Sequence, residues 1–144
     1  MINFLPGVSS TASALNSERA RMDVISQNIA NVNNARGVAG KPYQRQQVVF
    51  QTVLDSQLSQ SSPGSGAAGV EVARIERDLR PPRMVYNPGH PDADPKSGMV
   101  SFPDINIHEE MADLIVSSRS YEANLAVFKN ARTMAIQTLS IGKR

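Results

Sequence analysis

The chain has 144 residues, a formal net charge of +2 and no cysteine, so it holds one modest core and carries too little charge to argue for a nucleic-acid partner. The missing cysteine excludes disulfides, thiol catalysis and thiolate metal sites. No apolar run approaches the ~20 residues that span a bilayer. Ala12-Ser13-Ala14 has the small-x-small form of a cleavage site, but no basic residue precedes it and Asn3, Pro6 and Gly7 interrupt the apolar run, so no secretory signal is expected.

Pro6-Gly7 predicts a short irregular lead, and Ser9, Ser10, Thr11 and Ser13 offer N-caps for a helix that starts between Val8 and Thr11. Val8, Ala12, Leu15, Met22, Ile25, Ile29 and Val32 follow in steps of three and four, with Arg19 in the one polar seam position. This spacing gives an amphipathic helix of about seven turns. It closes on Asn28-Ile-Ala-Asn31-Val-Asn33-Asn34, with Gly37 behind. Asn is poor inside a helix and good at its end, which accounts for Asn33 and Asn34. Asn28 and Asn31 lie within the periodic part, where their amides can bond a neighbouring helix.

After a loop from Val38 to Pro42, Tyr43–Val53 reads as a strand. Ser56–Gly69 is rich in Ser and Gly and reads as a flexible loop or unstructured insert. Val70–Ile75 is a second strand, expected to pair with Arg83–Tyr86 across the Pro81-Pro82 corner. Arg74, Arg77, Arg80 and Arg83 recur every third residue but are interleaved with Glu71, Glu76 and Asp78, a solvated mixed-charge face. The three prolines of Pro88–Pro95 exclude regular structure there. Met99–Phe102 is a brief extended lead into the last helix, with Asp104 or Asn106 as its cap.

That helix, Ile107–Ile141, carries a heptad seam of Ile107, Met111, Leu114, Ser118, Tyr121, Leu125, Phe128, Arg132, Ala135 and Leu139. At ~1.5 Å per residue it is roughly 50 Å long, too long to be satisfied without a partner helix. The N-terminal helix is the natural one. The expected fold is mainly α with a small β region, its long terminal helices pairing as a coiled-coil-like unit. Residues 1–36 with 104–144 form the helical domain, and 37–103 the β-rich and irregular middle.

No catalytic constellation emerges. His108 precedes Glu109-Glu110, but Met111 and Ala112 stand where a zinc motif needs its second His. His90 is fixed in a Pro-rich loop and reads as a packing residue. Asp92 and Asp94 resemble the start of a calcium loop whose twelfth position is Pro103 rather than Glu. No G-x-S-x-G elbow or phosphate loop is present. No enzyme activity, cofactor, metal or small-molecule substrate is expected, and the residues by themselves leave room for a cytosolic coiled-coil adaptor.

Ser13-Ala-Leu-Asn-Ser-Glu-Arg19, followed by Met22-Asp-Val-Ile-Ser-Gln-Asn28-Ile-Ala-Asn31-Val-Asn33, resembles the N-terminal signature of flagellar basal-body rod proteins. Pro42-Tyr-Gln-Arg-Gln46, Arg80-Pro-Pro-Arg83 with Tyr86, Pro88-Gly-His-Pro-Asp-Ala-Asp94 and Asn106-Ile-His-Glu-Glu-Met-Ala-Asp-Leu-Ile115 with Ser118–Asn124 are similar to the proximal-rod branch of that family. The Thr-x-Gly-Phe/Tyr ending of the Asn phrase is replaced by Asn34-Ala-Arg-Gly-Val-Ala-Gly40, which separates the chain from distal-rod and hook members, the alternative within the family. The resemblance covers nearly the whole chain apart from Ser56–Gly69.

It implies terminal helices paired in the inner layer of a tube, the β region outside, and torque transmitted around an enclosed export channel. It further implies export through the flagellar type III apparatus without a cleaved signal, and a rod that crosses the periplasm. The implied partners are copies of the chain, other rod proteins, the rod-base adaptor, the membrane ring and the export apparatus. Leu15, Met22, Ile25, Ile29, Leu114, Tyr121, Leu125 and Phe128 are the expected packing residues of the helix pair or its neighbours. Asn28, Asn31 and Asn124 are the candidates for amide contacts between subunits.

Overall fold

The computed structural model describes residues 5–37, 40–54 and 68–142. Its elements are α1 (Leu5–Ala30), β1 (Gln46–Leu54), β2 (Ala68–Arg77), β3 (Arg83–Tyr86), β4 (Met99–Phe102) and α2 (Ile107–Ile141). The two long helices and the small β region between them are as the sequence predicts. Residues 56–67 of the expected Ser/Gly insert lie outside the described residues, while Ala68 and Gly69 open β2.

Helix α1 takes in Pro6 and Gly7, expected as an irregular lead: a proline in the first turn lacks only an N–H that has no intrahelical acceptor. The helix gives way to turns after Ala30, three residues before its expected end. There the Asn31 amide donates to the Gln27 carbonyl and the Asn34 amide to Asn31 Oδ1, so side chains compete with the backbone ladder. At the other end of the chain the Asn106 side chain accepts from the His108 N–H and caps α2.

The strand pairing differs from expectation. β2 pairs antiparallel with β1, and β3 pairs antiparallel with β4, giving two separate two-stranded sheets. Pro81-Pro82 supplies no N–H and fixes φ, so the chain turns a wide corner there instead of folding β3 back on β2. Asp78 opens this corner, its carboxylate accepting from the Arg80 N–H and guanidinium. Met99–Phe102, read as a mere lead-in, is β3's partner, and Gly98 with φ +65° closes their connection.

The β1–β2 ribbon lies along α1 and is anchored at both ends by α1 side chains. Near the end of α1, the Asn28 amide donates to the Gln46 carbonyl and accepts from the Gln46 N–H, as a neighbouring strand would. Near its start, Ser13 Oγ accepts from the Val70 N–H and Ser17 Oγ donates to the Val70 carbonyl. One anchor is on the outer edge of β1 and the other on the outer edge of β2. The register shift beside Phe50 leaves Ala73 as an extra residue in β2 and strengthens the twist that makes this possible.

Helices α1 and α2 run antiparallel, with Asn28 against Glu110. The α2 face that meets α1 is turned by one residue from the apolar heptad. Glu110 and Ser117 are buried on it, with Leu114, Tyr121, Asn124, Phe128 and Ala131 half-buried, while Ile107, Met111 and Leu139 of the expected seam are exposed. Glu110 draws the helix to this angle because its carboxylate is bonded from α1 and from the β region. Among the described residues only Val24, Ile25 and Val100 are fully buried aliphatics. Much of the apolar surface of α2 is exposed among the described residues.

Candidate assembly site

Where α1, α2 and the start of β1 meet, four side chains form a buried polar cluster. Asn28 is fully buried and uses both ends of its amide: Nδ2 donates to the Gln46 carbonyl at 2.8 Å and to Glu110 Oε2 at 3.0 Å. Its Oδ1 accepts from the Gln46 N–H at 2.9 Å and from the Tyr43 hydroxyl at 3.0 Å. Glu110, 1% exposed, accepts at Oε1 from Arg45 Nε at 2.6 Å. The Arg45 guanidinium also stands 4.0 Å from Asp78 at the end of β2 and 4.0 Å from Asp113 on α2. A buried carboxylate is stable only when paired and hydrogen-bonded, and Glu110 is both. The cluster ties both helices to both strands of the ribbon.

Burial, and after it the Glu110 carboxylate, push the Tyr43 phenol above its usual ionisation range. For an acid with a raised folded-state pKa, the unfolded chain ionises first as pH rises. Stability therefore falls as pH climbs past the model-compound value of 10.0 and on through the folded pKa. A phenolate absorbance titration is expected to show a late step that Tyr43→Phe removes. Loss of amplitude from the early part of the curve, with the late step kept, would show Tyr43 to ionise as an exposed phenol.

The predicted packing residues fall in two groups. Ile25 and Asn28 are buried inside the chain, and Leu114, Tyr121, Asn124 and Phe128 are half-buried on or beside the α1-facing side of α2. Leu15, Met22 and Ile29 lie half-buried round the side of α1 away from the ribbon, and Leu125 flanks the helix contact. Asn31 bonds within its own turn. Glu110, Arg45, Tyr43 and Gln46 are the members of the polar cluster that sequence reasoning missed. The available signal was a column of polar residues at heptad spacing, Glu110, Ser117 and Asn124, beside the apolar seam.

Beyond its contact with α1, α2 is apolar on two further sides. Met111 and Ile115 lie on one flank, each more than half exposed. Val116, Val127, Met134 and Ile141 are similarly exposed and recur at seven- and eleven-residue spacing on the opposite flank. With Asn28 opposite Glu110 and equal rise along both helices, Leu5 falls opposite residue ~133. The stretch Met134–Ile141, with Met134, Ile136, Leu139 and Ile141 exposed, then projects past the start of α1. A helix apolar on several sides is one that is covered on several sides when it functions.

Comparison with known families assigns both helical ends. Residues 10–37 match the family model described as "Flagella basal body rod protein", and residues 96–141 match "Flagellar basal body rod FlgEFG protein C-terminal". The chain is 40% identical to the flagellar basal-body rod protein FlgC of Bacillus subtilis, over 92% of this chain and 94% of the relative. The FlgC proteins of Borreliella burgdorferi and Yersinia enterocolitica are 39% and 38% identical, each over at least 90% of both chains. The chain belongs to the FlgC family of flagellar basal-body rod proteins.

Membership fixes the broad role. FlgC-family chains are structural components of the proximal rod of the bacterial flagellum, and this chain is a structural protein of motility, not an enzyme. Its place is the flagellar basal body, where it assembles with other rod proteins and with itself. The expected packing role of His90 fits its geometry: its ring meets Phe102 edge-on at 5.8 Å and Nδ1 accepts from the Asp92 N–H. Asp92 pairs with Arg36 behind α1, and Asp94 accepts from the Lys96 N–H and the Ser97 hydroxyl, so both carboxylates serve the Pro-rich loop.

Proposed function

We propose that residues 1–36 and 104–144 act as one helical unit in the inner layer of the rod, packed in coiled-coil fashion, with 37–103 turned outward. Copies stack head to tail into an open tube that encloses the export channel and carries torque. What supports this reading is the uncovered apolar surface of α2: a helix with a single partner has no use for Val116, Val127, Met134 and Ile141 exposed on a flank outside that contact. Leu15, Met22, Ile29, Leu125 and Phe128 contribute to packing between or within subunits. Of the three amides, Asn28 is spent on its own chain, while Asn124 has no hydrogen-bond partner among the described residues and is left for a neighbour.

The chain reaches the rod through the flagellar type III apparatus and spans the periplasm there, meeting the rod-base adaptor and the membrane ring. Cleavage at Ala12-Ser13-Ala14 would cut α1 and remove the Ser13 anchor of β2, which supports export without processing at that site. Electron cryo-microscopy of purified basal bodies tests the reading. Density for this chain in the rod, with both helices toward the channel, is the expected result. Intact rods lacking it would return the helices to a cytosolic adaptor.

A further inference from the structure

The β1–β2 ribbon carries open backbone edges on both sides. In an antiparallel pair the N–H and C=O of alternate residues point away from the partner strand. Gln46 on β1 and Val70 on β2 are such residues, because α1 side chains bond both of their backbone groups from outside the ribbon. The same parity turns the backbone groups of Val48, Phe50 and Thr52 outward on β1, and those of Val72, Ile75 and Arg77 outward on β2. None of these six residues has a hydrogen bond outside the ladder among the described residues. Since α1 covers opposite edges at opposite ends of the ribbon, the two open stretches lie on opposite sides.

The open part of β1 is also unprotected. Gln46–Leu54 contains no charge, no proline and no bulge of its own, the devices that normally blunt an edge. Beside it runs a slot of about 270 Å³ bordered by Ile25, Val48 and Phe50, with Arg21 and Asp113 among its walls. Donors and acceptors that alternate along a strand at ~6.8 Å are satisfied in full only by another extended backbone.

We propose that the β1 edge at Val48–Thr52 takes the β2 edge at Val72–Arg77 of a second copy, joining the ribbons of successive subunits into one band of strands. It rests on the reading of the chain as a stacked rod subunit. Charge complementarity selects this occupant. Arg21, Glu71 and Arg77 have no ion-pair partner among the described residues. Glu71 and Arg77 at the two ends of the donated stretch are opposite in sign to Arg21 and Asp113 beside the accepting one. The two surfaces differ, so the contact does not close after two copies and suits an open tube.

Two measurements test it. Val48→Pro removes only an outward N–H, so the purified monomer is expected to melt within about 3 °C of the parent, as proline at an edge allows. Its incorporation into rods is expected to fall by about tenfold or more. Normal incorporation overturns the proposal, and so does a large loss of monomer stability, which would place that N–H in the ladder. Thr52→Cys gives the chain a unique thiol for a photo-cross-linker applied to purified basal bodies that contain it. The expected product joins two copies, mapped to residues 70–77 of the second. A cross-link to another rod protein, to another segment, or to nothing overturns the strand pairing while leaving the rod assignment standing. Only absence of the parent chain from rods defeats the latter.

Discussion

Asn28→Ala is expected to destabilise the folded chain by about 3 kcal/mol, because it strands partners on β1, on the loop before it and on α2 at once. The Gln46 N–H and carbonyl, the Tyr43 hydroxyl and Glu110 Oε2 all lose a bond made inside the structure. Each unsatisfied buried group costs about 1–3 kcal/mol, and water entering the gap recovers part of the sum. For a chain of this size the melting temperature should drop by about 10 °C. Asn28→Asp keeps the shape and Oδ1 but replaces the donor with a second carboxylate against Glu110, so it is expected to be no better. Urea unfolding followed by circular dichroism reads both. A loss below about 1 kcal/mol for Asn28→Ala would mean that the cluster tolerates water and does not hold the ribbon.

The helices were legible because their apolar spacing is a local property, and the Asn phrase marked the end of α1 within a few residues. The polar cluster was not. A Glu in the first turn of a helix is ordinarily a solvated charge that favours the dipole, and the burial of Glu110 depends on Arg45 arriving from the far side of a turn 65 residues earlier. Asn28 was correctly singled out as unusual inside a helix, but periodicity could not say whether its partner lay in a neighbouring subunit or in the backbone of Gln46. The strand pairing failed for a related reason. β2 is adjacent in sequence to β3, whereas its true partner β1 stands across the Ser/Gly-rich segment, and nearness in sequence is a weak guide once Pro81-Pro82 forbids a tight turn. The α2 seam shifted because four of its positions serve both faces, so the doubly bonded carboxylate of Glu110 decided the angle.

Arg45→Met is expected to cost about 4 kcal/mol, more than deletion of the charge it faces, because it leaves a carboxylate buried without its cation. Glu110 is 1% exposed on its side chain and Arg45 20%, so the anion is the member that solvent cannot rescue. Glu110→Gln should be milder, at about 1–2 kcal/mol. The glutamine keeps one acceptor but must point its amide N–H groups at a donor, either Arg45 Nε or Asn28 Nδ2. In the double variant that conflict disappears: the Gln oxygen accepts from Asn28 and its amide nitrogen faces the space left by the guanidinium. Arg45→Met with Glu110→Gln is therefore expected to be more stable than Arg45→Met alone, by about 2 kcal/mol in a double-mutant cycle. Strict additivity would show that Arg45 acts through its stem, packed beside the ribbon, and not through its charge. Recovery of stability without recovery of rod incorporation would separate two roles of the pair. The helices would then hold without it, and the angle it sets between them and the β1–β2 ribbon would be what a neighbouring subunit reads.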